Sequence, residues 1–131
     1  MISLDTNILV RLLTIDDKRQ AAKVRTLFER HADEDGAFFV SDVVLAELSW
    51  TLDRTYGFDR DTIAKAIDAL SDNSTLAFES RETLRVARAI FEQSRAGFAD
   101  CLIVAKSRAA GCTALVTFDK AMRTIPSVEL L

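Results

Sequence analysis

Apolar runs of three or four residues recur along this chain, each separated from the next by stretches with helical periodicity. Few patterns restrict a fold more. Ile2–Leu4, Ala37–Val40, Leu76–Phe78, Ala114–Val116 and Val128–Leu130 read as short strands, the first of them buried. Between them, Asn7–Leu13 reads as a short helix. A second helix runs from an Asp17 cap to about His31, with Gln20 in the third position of a capping box and Ala21, Val24, Leu27 and Phe28 as its stripe. A third spans about Val43–Arg54. A fourth opens at Asp59 or Asp61 and turns Ile63, Ala64, Ile67 and Leu70 inward. Ser80 caps a fifth, with Leu84, Ala87, Ile90 and Phe91 inward, and a sixth covers about Ala99–Ala110, closed by Gly111. Strands alternating with helices predict an α/β chain with a central, mostly parallel sheet of four to five short strands, flanked by helices on both faces. In such sheets ligands sit outside the carboxyl ends of the strands.

With 131 residues and no linker, repeat or low-complexity segment, the chain reads as one domain, 1–131. Hydrophobic residues make up 49% and charged residues 28%, enough for a core that needs no disulfide or structural metal. Cys101 and Cys112 read as two reduced, buried thiols of a cytoplasmic protein. No signal peptide or membrane-spanning run is expected. A net charge of −3 argues against a basic coat for non-specific nucleic-acid binding. Arg81, Arg85 and Arg88, and Lys18 with Arg25, read as solvated helix faces, and His31 as exposed near a helix end.

Four acids stand in unusual places. Asp5 follows the first strand, Asp119 follows "ALVTF", and Asp100 opens the helix after "AGFA". Each has a structural explanation alone: Asp5 as a helix cap, Asp119 as a turn residue, Asp100 as a first-turn acid favoured by the helix dipole. Glu47 falls among Val43, Val44, Trp50 and Thr51 on its helix, mostly apolar company in which an unpaired carboxylate is costly. Together the four can reach one crevice of a parallel sheet. Carboxylates about 4 Å apart repel by roughly 4 kcal/mol at an effective dielectric near 20. A divalent cation turns that repulsion into coordination, and an all-oxygen set suits Mg²⁺ or Mn²⁺ rather than zinc or copper.

At these residues the chain resembles the PIN-domain ribonucleases, and more narrowly the VapC-type toxins of type II toxin–antitoxin pairs. The resemblance rests on "LDTNILVRLL" (Leu4–Leu13), "VSDVVLAELSWTL" (Val40–Leu52), "GFADCLIVAKSRAAG" (Gly97–Gly111) and "LVTFDK" (Leu115–Lys120), in that order, and covers essentially the whole chain. It implies that Asp5 and Asp100 are the principal metal ligands, and that Glu47 binds the metal directly or through water. Asp119 completes the cluster, at a second metal or by ordering water. Asn7 matches a polar position beside the metal. Thr6 and Thr117 match small hydroxyl positions supporting Asp5 and the substrate phosphate. The implied activity is Mg²⁺-dependent endoribonucleolytic cleavage of structured RNA, such as loops of transfer or ribosomal RNA, with one or two ions per site. The implied partners are a VapB-type antitoxin that blocks the site, a second copy in a homodimer, and operator DNA only through the antitoxin.

Other readings separate on single features. A phosphatase of the haloacid dehalogenase type wants a second aspartate two residues after the first, where this chain has Asn7. A housekeeping PIN ribonuclease of RNA processing would share the acids but lack an antitoxin. A catalytically silent PIN scaffold would bind RNA or protein without needing them.

Overall fold

A computed structural model describes residues 1–131. Packing divides the chain into two compact units, Met1–Glu79 and Ser80–Leu131. The α/β class expected from the alternation is what forms, with six helices and five short strands. Every strand pairing is parallel, and the strands are hydrogen-bonded as one sheet of three and one of two.

The first unit contains β1 (Ile2–Ser3), α1 (Thr6–Leu13), α2 (Lys18–Arg30), β2 (Phe38–Val40), α3 (Asp42–Arg54), α4 (Arg60–Asp72) and β3 (Leu76–Phe78). The strand order is β1-β2-β3, with Ile2 opposite Phe38, and Phe38 opposite Leu76. As an edge strand β1 is exposed, so the expected buried strand is buried only at Leu4, just past its end. Phe38, at the centre of the sheet, is wholly buried and stacks against Phe28 with centroids 4.6 Å apart. His31 is half-buried rather than exposed: its ring meets Phe38 edge-on and its Nδ1 lies 3.1 Å from Glu34. The α2 stripe is shallower than its periodicity suggests, since only Val24 is buried and Ala21, Leu27 and Phe28 are half-buried. Its capping box is also half made. Asp17 accepts the Gln20 N–H at 2.9 Å, but the Gln20 side chain turns to Arg11 Nε at 2.6 Å. Arg11 donates as well to Asp16 and to the Tyr56 hydroxyl, tying the end of α1 to the turn after α3.

The second unit contains α5 (Arg81–Gln93), α6 (Phe98–Ala109), β4 (Leu115–Thr117), a 3₁₀ turn (Lys120–Met122) and β5 (Val128–Leu130). The expected stripe of α5 is buried at Leu84, Ala87, Ile90 and Phe91. The ring of Phe91 meets that of Phe98 on α6 edge-on, at 5.7 Å. Arg85 pairs with Glu82 on the expected solvated face, whereas Arg88, which pairs with Glu92, is half-buried. Cys101 is buried in α6, but Cys112 is exposed, because the chain has already turned outward there. No helix is long and apolar enough to cross a membrane.

That outward turn is the C-cap read from Gly111. Cys112 N–H donates to the Ser107 carbonyl and Gly111 N–H to the Arg108 carbonyl, both at 3.0 Å, with Gly111 left-handed at φ +87. Space beside Gly111 is open, so only backbone conformation penalises a side chain there. Gly111→Ala is expected to lower stability by about 1 kcal/mol, read as a fall in the urea midpoint with an unchanged slope.

Candidate functional site

Asp5 occupies the N-cap position of α1, as one sequence reading expects, but not in the usual way. Its Oδ1 accepts the N–H of the next residue, Thr6, at 2.8 Å. The caps of α2, α3, α4 and α5 instead take the N–H three residues on: Asp17 that of Gln20, Ser41 that of Val44, Asp59 that of Thr62 and Ser80 that of Thr83. The Thr6 side chain is buried, and its Oγ1 donates to Glu47 Oε2 at 2.8 Å. One residue thus steadies two acids, Asp5 through its amide and Glu47 through its hydroxyl. Glu47 is exposed, and its apolar neighbours Val43 and Trp50 are themselves 68% and 51% exposed, so the burial penalty expected from the sequence is not incurred. Asn7 is exposed in the first turn of α1.

The second unit repeats the device. No side chain caps α6 at Gly97. Asp100 stands in the first turn, with its Oδ2 beside Gly97. The Asp100 carboxyl is half-buried and its pKa is raised from its ordinary value, first through burial and second through the negative charge of Asp119; the nearby Gly97 backbone pulls the other way. Asp119 sits past the end of β4. Its Oδ1 accepts the Ala121 N–H at 2.9 Å, and its own N–H donates to Thr117 Oγ1 at 3.0 Å.

The structure therefore links Asp5 to Glu47 through Thr6, and Asp100 to Asp119 through their charges. None of the four carboxylates forms an ion pair with a lysine or arginine. Asp5, Glu47 and Asp119 are each held by one oxygen, while Asp5 Oδ2, Glu47 Oε1 and Asp119 Oδ2 have no protein partner. Within neither unit do three or more acidic, histidine or cysteine side chains converge on one point. The donor set is oxygen alone, which fits a hard cation such as Mg²⁺ or Mn²⁺. A groove of about 450 Å³ in the first unit, bounded by Arg11, Ile15, Arg25, Phe28 and Thr75, contains none of these acids.

Two more acids share the carboxyl edge of the three-stranded sheet. Asp42, buried, opens α3 just after β2, and Glu79 follows β3; the Asp42 N–H donates to Glu79 Oε2 at 3.1 Å. Their signal in the sequence is the one that marks Asp5: an acid placed within two residues of the end of an apolar run.

Two measurements test these geometries. Because Asp100 takes up a proton more readily folded than unfolded, its contribution to stability is full at low pH and falls as pH rises through and just above the usual carboxylate range. Asp100→Asn is expected to raise the metal-free melting temperature at pH 7 and to leave it unchanged near pH 3. Thr6→Val removes the hydroxyl held by Glu47 and is expected to cost no more than about 1 kcal/mol in urea, since the glutamate is exposed.

The family model for the PIN domain matches residues 2–127. A VapC ribonuclease from Aquifex aeolicus (strain VF5) is 22% identical over 122 residues, covering 93% of this chain and 90% of that protein. A toxin-antitoxin complex from Klebsiella pneumoniae aligns over 98% of this chain and 96% of its own, with a TM-score of 0.38 and 18% identity. Matched by the family model over nearly its whole length, this chain belongs to the PIN domain family.

Proposed function

We propose that this protein is a divalent-metal-dependent endoribonuclease and the toxin of a VapC-type toxin–antitoxin pair. One observation carries the reading: on a PIN-domain chain, Asp5, Glu47 and Asp119 are each fixed through one oxygen, leave the other open, and have no basic partner. All three are exposed, so their open oxygens are accessible to a cation or to the water around it. The name of the Aquifex relative, similar over 93% of this chain, supports the toxin assignment.

Asp5 and Asp100 are the principal holders of Mg²⁺, with Mn²⁺ an acceptable substitute and one or two ions in use. When bound, the cation supplies Lewis acidity toward the scissile phosphate and lowers the pKa of a water. The chain's own residues do the rest. Glu47, steadied by the Thr6 hydroxyl, and Asp119, ordered through Thr117, present free oxygens that accept hydrogen bonds from water and orient it. Asn7 offers amide hydrogens to a phosphate oxygen. Neither a serine nor a histidine nucleophile is required.

The substrate is structured RNA, cleaved in the single-stranded loops of transfer or ribosomal RNA. The partner is a VapB-type antitoxin that covers the acids, and operator DNA is reached only through it. The protein acts as a homodimer in the cytoplasm.

With total RNA as substrate, Asp5→Asn and Asp100→Asn are each expected to lower the Mg²⁺-dependent cleavage rate by about 100-fold or more while the protein stays folded. Chelation with EDTA abolishes cleavage and added Mg²⁺ restores it. Folded, metal-loaded wild type that leaves every RNA intact would remove the nuclease reading. Growth arrest on expression without a partner, relieved by Asp5→Asn, separates a toxin from a housekeeping nuclease.

A further inference from the structure

The chain has eight phenylalanines, one tryptophan and one tyrosine. Only two of these side chains are exposed, Trp50 at 51% and Phe118 at 78%. Both stand beside an acid of the candidate site. Trp50 follows Glu47 by three positions on α3, so the two are neighbours on one helix surface. Phe118 lies between Thr117 and Asp119. Large aromatics left in water forgo the stabilisation that burial gives them, and nothing in the packing of either unit requires this.

Each aromatic also has unpaired positive charge close by in the chain. Arg54 is one turn beyond Trp50, exposed and without an ion pair. Lys120 is two residues beyond Phe118 and lines a groove of about 540 Å³ together with Arg95 and Arg123, none of them ion-paired. A protein of net charge −3 gains little general attraction to a polyanion. It has to obtain affinity for single-stranded nucleic acid locally, by stacking bases on aromatic faces while nearby cations take the phosphates. A surface that docks a second copy of the chain would instead be depleted of charge around its aromatics.

We propose that Trp50 and Phe118 are positioning residues, each an exposed platform on which an unpaired base of single-stranded RNA stacks, with Arg54, Lys120 and Arg123 contacting the adjoining phosphates. The inference rests on the ribonuclease reading and adds what holds the RNA beside the acids.

Because Trp50 is the only tryptophan, its fluorescence reports on that position alone. Full-length protein titrated with oligoadenylate RNA in EDTA is expected to show saturable quenching, and an abasic oligomer of the same length is not. Trp50→Ala and Phe118→Ala are each expected to weaken oligoadenylate binding, and to raise KM for RNA, by about 5- to 100-fold, with a smaller change in kcat. Trp50→Phe and Phe118→Tyr are expected to recover most of the loss, as flat rings that still stack. Unchanged affinity and KM in both alanine variants overturns the proposal. So does quenching by the abasic oligomer equal to that by oligoadenylate, or an alanine variant that changes oligomeric state in light scattering with RNA affinity intact. Wild type that is quenched by oligoadenylate yet cleaves no RNA would sink the nuclease reading and leave the stacking platforms standing. Cleavage with unchanged KM in the alanine variants does the reverse.

Discussion

The Thr6 hydroxyl donates to Glu47 across 2.8 Å, and this bond ties the first turn of α1 to the second turn of α3. It exists because β1 and β2 are parallel neighbours. Parallel strands end on one edge of their sheet, so the helices that follow them start from that same edge. Asp5 follows β1, Asp42 follows β2 and Glu79 follows β3, which places acids from distant parts of the sequence along a single rim. Like charges on one rim oppose folding, so the unit spends amide and hydroxyl donors to hold them: the Thr6 amide on Asp5, the Thr6 hydroxyl on Glu47, the Asp42 amide on Glu79.

Helix capping shows the same allocation. Four helices have an ordinary side-chain cap reaching the third turn residue. The two that do not are α1 and α6, the helices that carry Asp5 and Asp100 at their N-terminal ends. Asp5 is held by one short-range bond that satisfies only part of its carboxylate. Asp100 has a proton affinity raised by burial and by the charge of Asp119. A group destabilised in its charged form, next to another acid and without a counter-ion, gains most when a cation arrives.

The exposed aromatics belong to the same logic. An acidic surface suits a hard cation but repels a phosphate chain, so bases are the part of an RNA that such a surface can grip without electrostatic opposition. Trp50 stands one turn from Glu47, and Phe118 adjoins Asp119 in the chain, so the proposed platforms are neighbours of the acids.

Much was legible in the sequence. The alternation of short runs with helical periodicity specified the α/β class, because parallel neighbours need a long crossover connection and a helix is its usual form. Caps at Asp17, Ser80 and Gly111 were legible because capping is a local matter of one side chain or one dihedral angle. Asp5 and Asp119 were visible at the ends of apolar runs, Asp100 at a helix start and Glu47 as an acid among apolar neighbours, and the PIN resemblance rested on the four blocks of sequence that hold them. Burial was not legible. A helical stripe shows which residues share a face but not how deeply that face packs, so Leu27 and Phe28 proved half-buried, Glu47 exposed and Cys112 outside. Edge position left β1 open to solvent, although its apolar residues look like those of a central strand. Partner choice was also closed to sequence reading. That Thr6 serves both Asp5 and Glu47, and that Gln20 abandons its capping box for Arg11, depends on distances between segments far apart in the chain, which only tertiary packing sets.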